Sequence, residues 1–169
     1  MKTVLAFVDE LYEDLELWYP RFRLEEEGHK VVIAGNSNQH TYKGKHGYPC
    51  QPDQSFSSIN GKSFDGLLIP GGFAPDKLRR NPKVLELVRE FEAQNKFVAF
   101  ICHAGWVVIS AKILKGRKAA STLAIKDDME NAGCQWIDQP VVIDRNLISS
   151  RTVSDLPFFA KAIVEWLNK

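Results

Sequence analysis

The stretch 96-KFVAFICHAGWVVISA-111 decides the fold of this chain. Its first half is a continuous apolar run over residues 97–101, which is typical of a parallel strand buried on both faces. Its second half predicts a helix. No proline and no polar loop separate the two halves. The chain must therefore turn from strand to helix within a residue or two, at Cys102 and His103.

Such a corner lifts one side chain above the edge of the sheet, next to the positive end of the new helix. A thiolate is favoured over a thiol in that position, so we expect Cys102 to be a nucleophile with a lowered pKa. The alternative is an inert buried thiol, the common fate of cysteine. Cys50 and Cys134 lie in no comparable context and are interpreted as inert.

Composition limits the class of protein. The 169 residues predict one domain, residues 1–169, and the hydrophobic fraction of 44% is ordinary for a globular protein. A net charge of +1 argues against a nucleic-acid partner. The first residues lack the features of a signal peptide, and no apolar run approaches the ~20 residues that span a bilayer. Three widely spaced cysteines argue against a disulfide framework, so we expect a cytoplasmic protein without a membrane partner.

Apolar, strand-like runs alternate with helical patterns along most of the chain, which predicts an α/β fold with a doubly wound, mostly parallel sheet and helices on both faces. Predicted strands cover residues 3–8, 30–34, 65–69 and 97–101, and a two-residue hairpin joins 141–144 to 147–150. Residues 36–62 predict a small hairpin or edge excursion. Ser154 is the predicted cap of a last helix, and the basic segments 77–83 and 112–118 are expected to be solvated.

Ligands of such folds bind at the carboxyl ends of the strands. Three segments follow predicted strands and should meet there: residues 9–13, Gly71–Gly72 and Cys102–His103. Glu13 is the candidate acid that donates a hydrogen bond to the sulfur, although it is equally explained as an acid that serves the helix dipole.

His103 is the candidate general base, with a side chain expected to point away from the neighbouring thiol. The backbone N–H groups of Gly72 and His103 could form an oxyanion hole, and Gly71 and Ala104 are further candidates for oxyanion or substrate binding. No metal-ligand spacing and no nucleotide-binding motif occurs, so the sequence predicts no metal and no cofactor.

Seven motifs together resemble the ThiJ/PfpI family of the class I glutamine amidotransferase-like superfamily. They are EDLE (13–16), GKHG (44–47), LIPGGFAPD (68–76), ICH (101–103), LKGRK (114–118), IKDDMENAG (125–133) and SSRT (149–152). The resemblance implies a flavodoxin-like α/β/α sandwich in which Cys102 is the nucleophile, flanked by His103 and hydrogen-bonded by Glu13. It also implies a homodimer or higher homo-oligomer, in which Asp76 of a neighbouring subunit completes a triad with the histidine.

The chain departs from the family pattern at Phe100, at Ala104, and at Gly105 and Trp106, where the usual proline is lost. Ala104 should crowd the corner, and loss of the proline with gain of Trp106 should reshape the pocket wall. The resemblance favours a cysteine hydrolase of the intracellular peptidase type, acting on peptides. An alternative is a cofactor-free glyoxalase or deglycase acting on 2-oxoaldehydes such as methylglyoxal. A third is a stress-responsive or redox-sensing protein in which Cys102 becomes oxidised.

Overall fold

The computed structural model describes residues 1–169. The strands are β1 (Thr3–Phe7), β2 (Lys30–Gly35), β3 (Tyr42–Lys43), β4 (Pro49–Cys50), β5 (Gln54–Ser55), β6 (Gly66–Ile69), β7 (Phe97–Ile101), β8 (Lys118–Ala119), β9 (Gln135–Trp136), β10 (Val141–Asp144) and β11 (Leu147–Ser150). The helices are α1 (Asp14–Glu26), α2 (Ala74–Leu78), α3 (Pro82–Ala93), α4 (Gly105–Ser110), α5 (Lys126–Asn131) and α6 (Leu156–Leu167).

Seven strands form the central sheet in the order β10-β11-β7-β6-β1-β2-β5. All neighbours are parallel except β10 and β11, which form an antiparallel hairpin. The predicted mostly parallel, doubly wound sheet is confirmed. The predicted hairpin is confirmed too, because strand-forming residues flank a two-residue turn at Arg145 and Asn146.

Two groups of helices cover the sheet. Helices α1 and α6 contact each other and the strands β2 and β11, whereas α3 packs on β6 and β7 and contacts α4. Every residue of β6 and β7 is buried, as expected for strands with cover on both faces. None of the helices combines the length and the apolar character that crossing a bilayer requires.

Some local predictions need correction. The small hairpin predicted after β2 is present and consists of β3 and β4. Strands β8 and β9 form a further two-stranded sheet outside the central one. Helix α2 was not predicted, since its five residues are too few to show a periodic pattern. Ser154 does not cap the last helix: it lies inside a 3₁₀ turn, and α6 begins after Asp155.

The backbone of Tyr12 ties the rim of the sheet together. It forms one β-bridge to Gly44 and another to Gly72. The loop after β1 is therefore fixed between the loop that joins β3 to β4 and the loop that follows β6. These loops meet beside the end of β7, where Cys102 lies.

Candidate active site

Cys102 occupies a strained corner at the end of β7. Its φ is +60°, in the left-handed region that non-glycine residues rarely adopt. A 3₁₀ turn over Cys102–Ala104 follows, and α4 begins at Gly105. The predicted strand-to-helix corner is confirmed. It leaves the thiol partly exposed, as a nucleophile requires.

The acid that contacts the sulfur is Glu16, and the prediction of Glu13 in that position is wrong. Glu16 lies in the first turn of α1, is almost completely buried and faces the Cys102 thiol in the same cavity. Its Oε2 also accepts a hydrogen bond from the N–H of Gly71 at 2.7 Å. Glu13 is the N-cap of α1 and Glu16 lies in its first turn. The orientation of α1 relative to the sheet therefore decides which of the two side chains points at the thiol.

Gly71 allows this close approach. A Cβ atom at Gly71 would lie 2.5 Å from Glu16 Oε2 and 2.8 Å from the Cβ of Cys102, so any side chain would separate the acid from the thiol. The N–H of Gly71 is occupied by Glu16, and its carbonyl accepts from the N–H of Glu13 at 3.0 Å. Gly71 therefore positions the acid. It was predicted to bind an oxyanion or the substrate, but its N–H already donates to Glu16 and is not free to bind an oxyanion.

Glu13 is engaged with the loop between β3 and β4. Its Oε2 lies 3.1 Å from Nζ of Lys45 and 3.5 Å from Nε2 of His46. Glu13 still lines the same cavity as Cys102, together with Lys45. The ion pair of Glu13 and Lys45 is therefore part of the wall of the cavity that holds the thiol.

The protonation of Cys102 and Glu16 is coupled. Burial raises the pKa of Glu16 to about 8. Burial, and next the charge of Glu16, raise the pKa of the Cys102 thiol to about 12, which opposes the lowered value expected from sequence. The second cause disappears when Glu16 is protonated, and a neutral carboxyl can donate a hydrogen bond to the sulfur. A neutral Glu16 thus favours the thiolate and a charged one opposes it.

Two backbone N–H groups also face the sulfur, those of His103 and Gly72, and both lower the pKa of the thiol. They are the pair predicted to form an oxyanion hole. Ala104, also a candidate for oxyanion or substrate binding, is fully buried and does not line the cavity. Its side chain packs in the core beneath the corner.

His103 does contact the thiol, contrary to the expectation that it would point away. Its Nδ1 lies 3.4 Å from the Cys102 sulfur. Burial, and next the charge of Lys45, lower the pKa of the imidazole, which favours the neutral form that accepts a proton. No carboxylate of this chain hydrogen-bonds to His103.

Asp76 does not meet the cysteine within one chain. It lies on α2 with its side chain largely exposed, and it accepts a hydrogen bond from Arg80 Nη2 at 2.9 Å. The prediction that Asp76 serves the site of a neighbouring subunit stays a prediction.

The cavity around the thiol has a volume of about 280 Å³. Its lining consists of Glu13, Glu16, Lys45, Gly72, Phe73, Cys102, His103, Thr122, Thr152 and Val153. The sequence analysis did not single out Glu16, Lys45 or the threonines. Lys45 and Glu16 did stand in motifs that carry the family resemblance, which is the signal that could have identified them.

One acidic cluster beside the cavity resembles a metal site: Glu13, Asp14 and His46 bring potential ligand atoms within 4.8 Å of one another. However, Asp14 already accepts the N–H groups of His46 and Tyr48, at 2.8 and 2.9 Å, and Glu13 pairs with Lys45. These contacts explain the cluster without an ion.

The fold and the site together define a class. It consists of α/β proteins with a flavodoxin-like sheet and a cysteine at a strained strand-to-helix corner, with a buried acid against the sulfur and a histidine next in sequence.

The chain belongs to the DJ-1/PfpI family, whose family model matches residues 2–166. Deglycase PfpI of Pyrococcus furiosus is 45% identical over 99% of this chain and 100% of its own length. General stress protein 18 of Bacillus subtilis is 36% identical over 99% of this chain and 99% of its own length.

A solved structure from Anabaena variabilis combines a DJ-1/ThiJ/PfpI-like domain with a ferritin-like domain. It matches 99% of this chain with a TM-score of 0.98 and 39% identity, and this chain spans 48% of that protein. The family resemblance and the flavodoxin-like fold inferred from sequence are both confirmed.

Proposed function

We propose that this protein is a cofactor-free deglycase, which removes 2-oxoaldehyde adducts such as those of methylglyoxal from amino groups. The observation that carries the proposal is the Cys102 sulfur, which contacts the Glu16 carboxyl and faces two backbone N–H groups. A relative that is 45% identical over its whole length and is named a deglycase supports it.

In the first step the sulfur attacks the aldehyde-derived carbon. A C–S bond forms and the C–N bond to the amine breaks, which leaves a hemithioacetal on Cys102 and a free amine. Glu16 is protonated below a pKa of about 8 and can supply the proton that the leaving nitrogen takes up. The N–H groups of Gly72 and His103 can act in the second step, where removal of the carbon proton places negative charge on the neighbouring carbonyl oxygen.

In the second step a proton moves between two carbons. Neutral His103 removes the proton from the sulfur-bearing carbon and a proton returns to the neighbouring carbon, which converts the hemithioacetal into the thioester of a 2-hydroxy acid. Water then cleaves the C–S bond and restores the thiol. One carbon is oxidised as its neighbour is reduced, so the sequence needs no external oxidant or cofactor.

The size of the cavity favours this reaction over peptide cleavage. A volume of about 280 Å³ lies just below the usual range for small-molecule sites, which suits the three-carbon part of the adduct. A redox-sensing role needs the same thiolate as the deglycase reaction, so turnover of a substrate separates these two alternatives.

The test uses N-acetyllysine and N-acetylarginine that have reacted with methylglyoxal and have been freed of excess aldehyde. We expect recovery of the amine together with lactate, and loss of both products in Cys102→Ser. Glu16→Gln should lower the rate about 100-fold, because it removes an acid that contacts the reacting sulfur. Glu13→Gln is the matched control and should lower the rate less.

Absence of both products from the wild-type reaction would refute the proposal. Cleavage of fluorogenic peptides without release of lactate would support the peptidase alternative instead. Selective oxidation of Cys102 without turnover of any substrate would support the redox-sensing one.

We also propose that the active unit contains at least two copies of the chain, with Asp76 of a neighbouring copy orienting His103. In its own chain Asp76 is exposed, and no carboxylate hydrogen-bonds to His103. An apolar groove of about 910 Å³ that includes Leu15, Trp18 and Phe22 of α1 adjoins the catalytic cavity, and a second copy would cover it.

A further inference from the structure

His103 needs a fixed orientation to act on Cys102. Its only hydrogen-bond partner in the chain is the sulfur itself, at 3.4 Å from Nδ1. A histidine that serves as base is usually oriented by a third group on its other side. Within this chain that support must come from packing.

Trp106 supplies the packing. It lies one helical turn after His103, and the two rings meet edge to face with centroids 5.1 Å apart. The indole is itself held on two sides: its Nε1–H donates to Oδ2 of Asp128 at 2.9 Å, and the guanidinium of Arg79 lies 5.5 Å from the ring centroid. The indole that supports His103 is therefore anchored to α5 and to the residue that follows α2.

The residue before Trp106 makes the contact with α5 possible. A Cβ atom at Gly105 would lie 2.8 Å from Cδ1 of Ile125 and 2.8 Å from the sulfur of Met129. Because Gly105 has no side chain, α4 and α5 pack closely enough for Asp128 to reach the indole. Gly105 thus permits the close packing that lets Asp128 fix Trp106, and both residues lie where the sequence departs from the family pattern.

We propose that Trp106 is a positioning residue, which holds the His103 imidazole with Nδ1 toward Cys102 and is itself fixed by Asp128. The role concerns the orientation of the ring and applies to whichever reaction Cys102 performs. Trp106 contacts neither the sulfur nor the cavity around it, so its effect passes through His103.

The test measures two properties that do not depend on turnover. The first is the pH profile of Cys102 alkylation by iodoacetamide. The second is the ¹⁵N signals of the His103 ring, which report its tautomer and are assigned with a His103→Gln variant. The variants are Trp106→Leu, Trp106→Phe and Asp128→Asn. Trp166→Phe is the matched control, since that indole belongs to α6 and its ring contacts the ammonium of Lys169.

We expect Trp106→Leu to slow alkylation near neutral pH by about threefold or more, equivalent to about half a pKa unit. Its His103 signals should move toward an average of the two tautomers, and Trp106→Phe and Asp128→Asn should show smaller changes in the same direction. The charged groups near this pair are Glu13, Glu16, Lys45, Arg79 and Asp128. The Trp106 variants alter none of them, so a changed profile reports the ring orientation.

A folded Trp106→Leu protein with a wild-type alkylation profile and wild-type His103 signals would overturn the proposal. If Trp106→Leu does not fold, Trp106→Phe and Asp128→Asn decide by the same readouts, and two unchanged variants would overturn it. Both readouts work in a protein that releases no lactate. Failure here is thus distinguishable from failure of the proposed deglycase reaction.

Discussion

Glu16 makes the stability of the folded chain depend on pH. Burial raises the pKa of this acid from its ordinary 4.5 to about 8, so between these values the folded state holds a proton that the unfolded chain releases. The contribution of Glu16 to stability is therefore greatest at low pH and falls as the pH rises through about 8. Between pH 4.5 and about 8, the folded protein should lose a few kcal/mol of stability through Glu16.

Glu16→Gln removes this dependence, because the amide is neutral at every pH. In a Cys102→Ser background, which eliminates titration of the thiol, we expect the variant to melt about 5 °C or more above its parent near pH 9. Near pH 5 the two should melt at similar temperatures. Calorimetry measures the difference, and the exposed acid in Glu86→Gln is the control. An equal difference at both pH values would contradict the assignment.

The sequence predicted the corner at Cys102 but not the acid beside it, and the reason lies at single residues. Cys102 stands between a strand run and a helix run, so its corner follows from local pattern alone. Glu13 and Glu16 are three residues apart at one helix start, and the pattern there does not distinguish them. Which one meets the sulfur depends on how α1 packs against the loop at Gly71, a tertiary contact across 55 residues.

At the scale of elements, one buried cation joins three parts of the fold. The side chain of Arg117 is only 3% exposed and lies just before β8. It donates to Oε1 of Glu92 on α3 at 2.6 Å, to the carbonyl of Asp144 at 2.6 Å and to Oδ1 of Asn146 at 3.0 Å in the β10–β11 hairpin. Arg117 thereby connects the hairpin to α3.

Arg117→Met should lower the free energy of unfolding by about 3–5 kcal/mol, because it leaves the carboxylates of Glu92 and Asp144 without their main partner. Urea denaturation measures the loss. The matched control is Arg23→Met, which removes exposed ion pairs on α1 and should cost less than about 1 kcal/mol. Similar losses in the two variants would show that the buried network contributes no more than a surface pair.

The sequence analysis expected segment 112–118 to be solvated, and for Arg117 that prediction was wrong. A run of basic residues around a glycine is usually a surface turn. The partners of Arg117 lie 25 to 29 residues away along the chain, so no local pattern marks this one cation as buried. By contrast, the bounds predicted for the strands at 97–101, 141–144 and 147–150 agree with β7, β10 and β11, since local apolar runs and a turn signal define them.

At the scale of the whole molecule, the exposed face of α1 predicts self-association. Leu15 and Phe22 are 55% and 52% exposed and line the apolar groove beside the active site. Phe22→Glu would place a charge in any contact that buries this groove, so we expect the variant to be shifted toward monomer. Sedimentation velocity over a range of concentrations measures the shift.

Ile143→Glu is the matched control for this prediction. Ile143 is 50% exposed on β10, at the opposite edge of the sheet from β2 and β5, and its replacement should leave association unchanged. A wild-type protein that sediments as a monomer at all concentrations would contradict the prediction. It would also remove the proposed role of Asp76 from a neighbouring copy.

The two β-bridges of Tyr12 have a consequence for access to the thiol. Tyr12 connects the loop that contains Lys45 to the loop that contains Gly72. Two further hydrogen bonds strengthen this connection: the N–H of Lys45 donates to the carbonyl of Tyr12 at 2.8 Å, and the N–H of Glu13 donates to the carbonyl of Gly71 at 3.0 Å. Because the two loops are hydrogen-bonded to the same segment, we expect them to move together and this half of the rim to be rigid. Thr122, Thr152 and Val153 line the same cavity from segments that these bridges do not tie, so we expect any widening of the cavity to occur there.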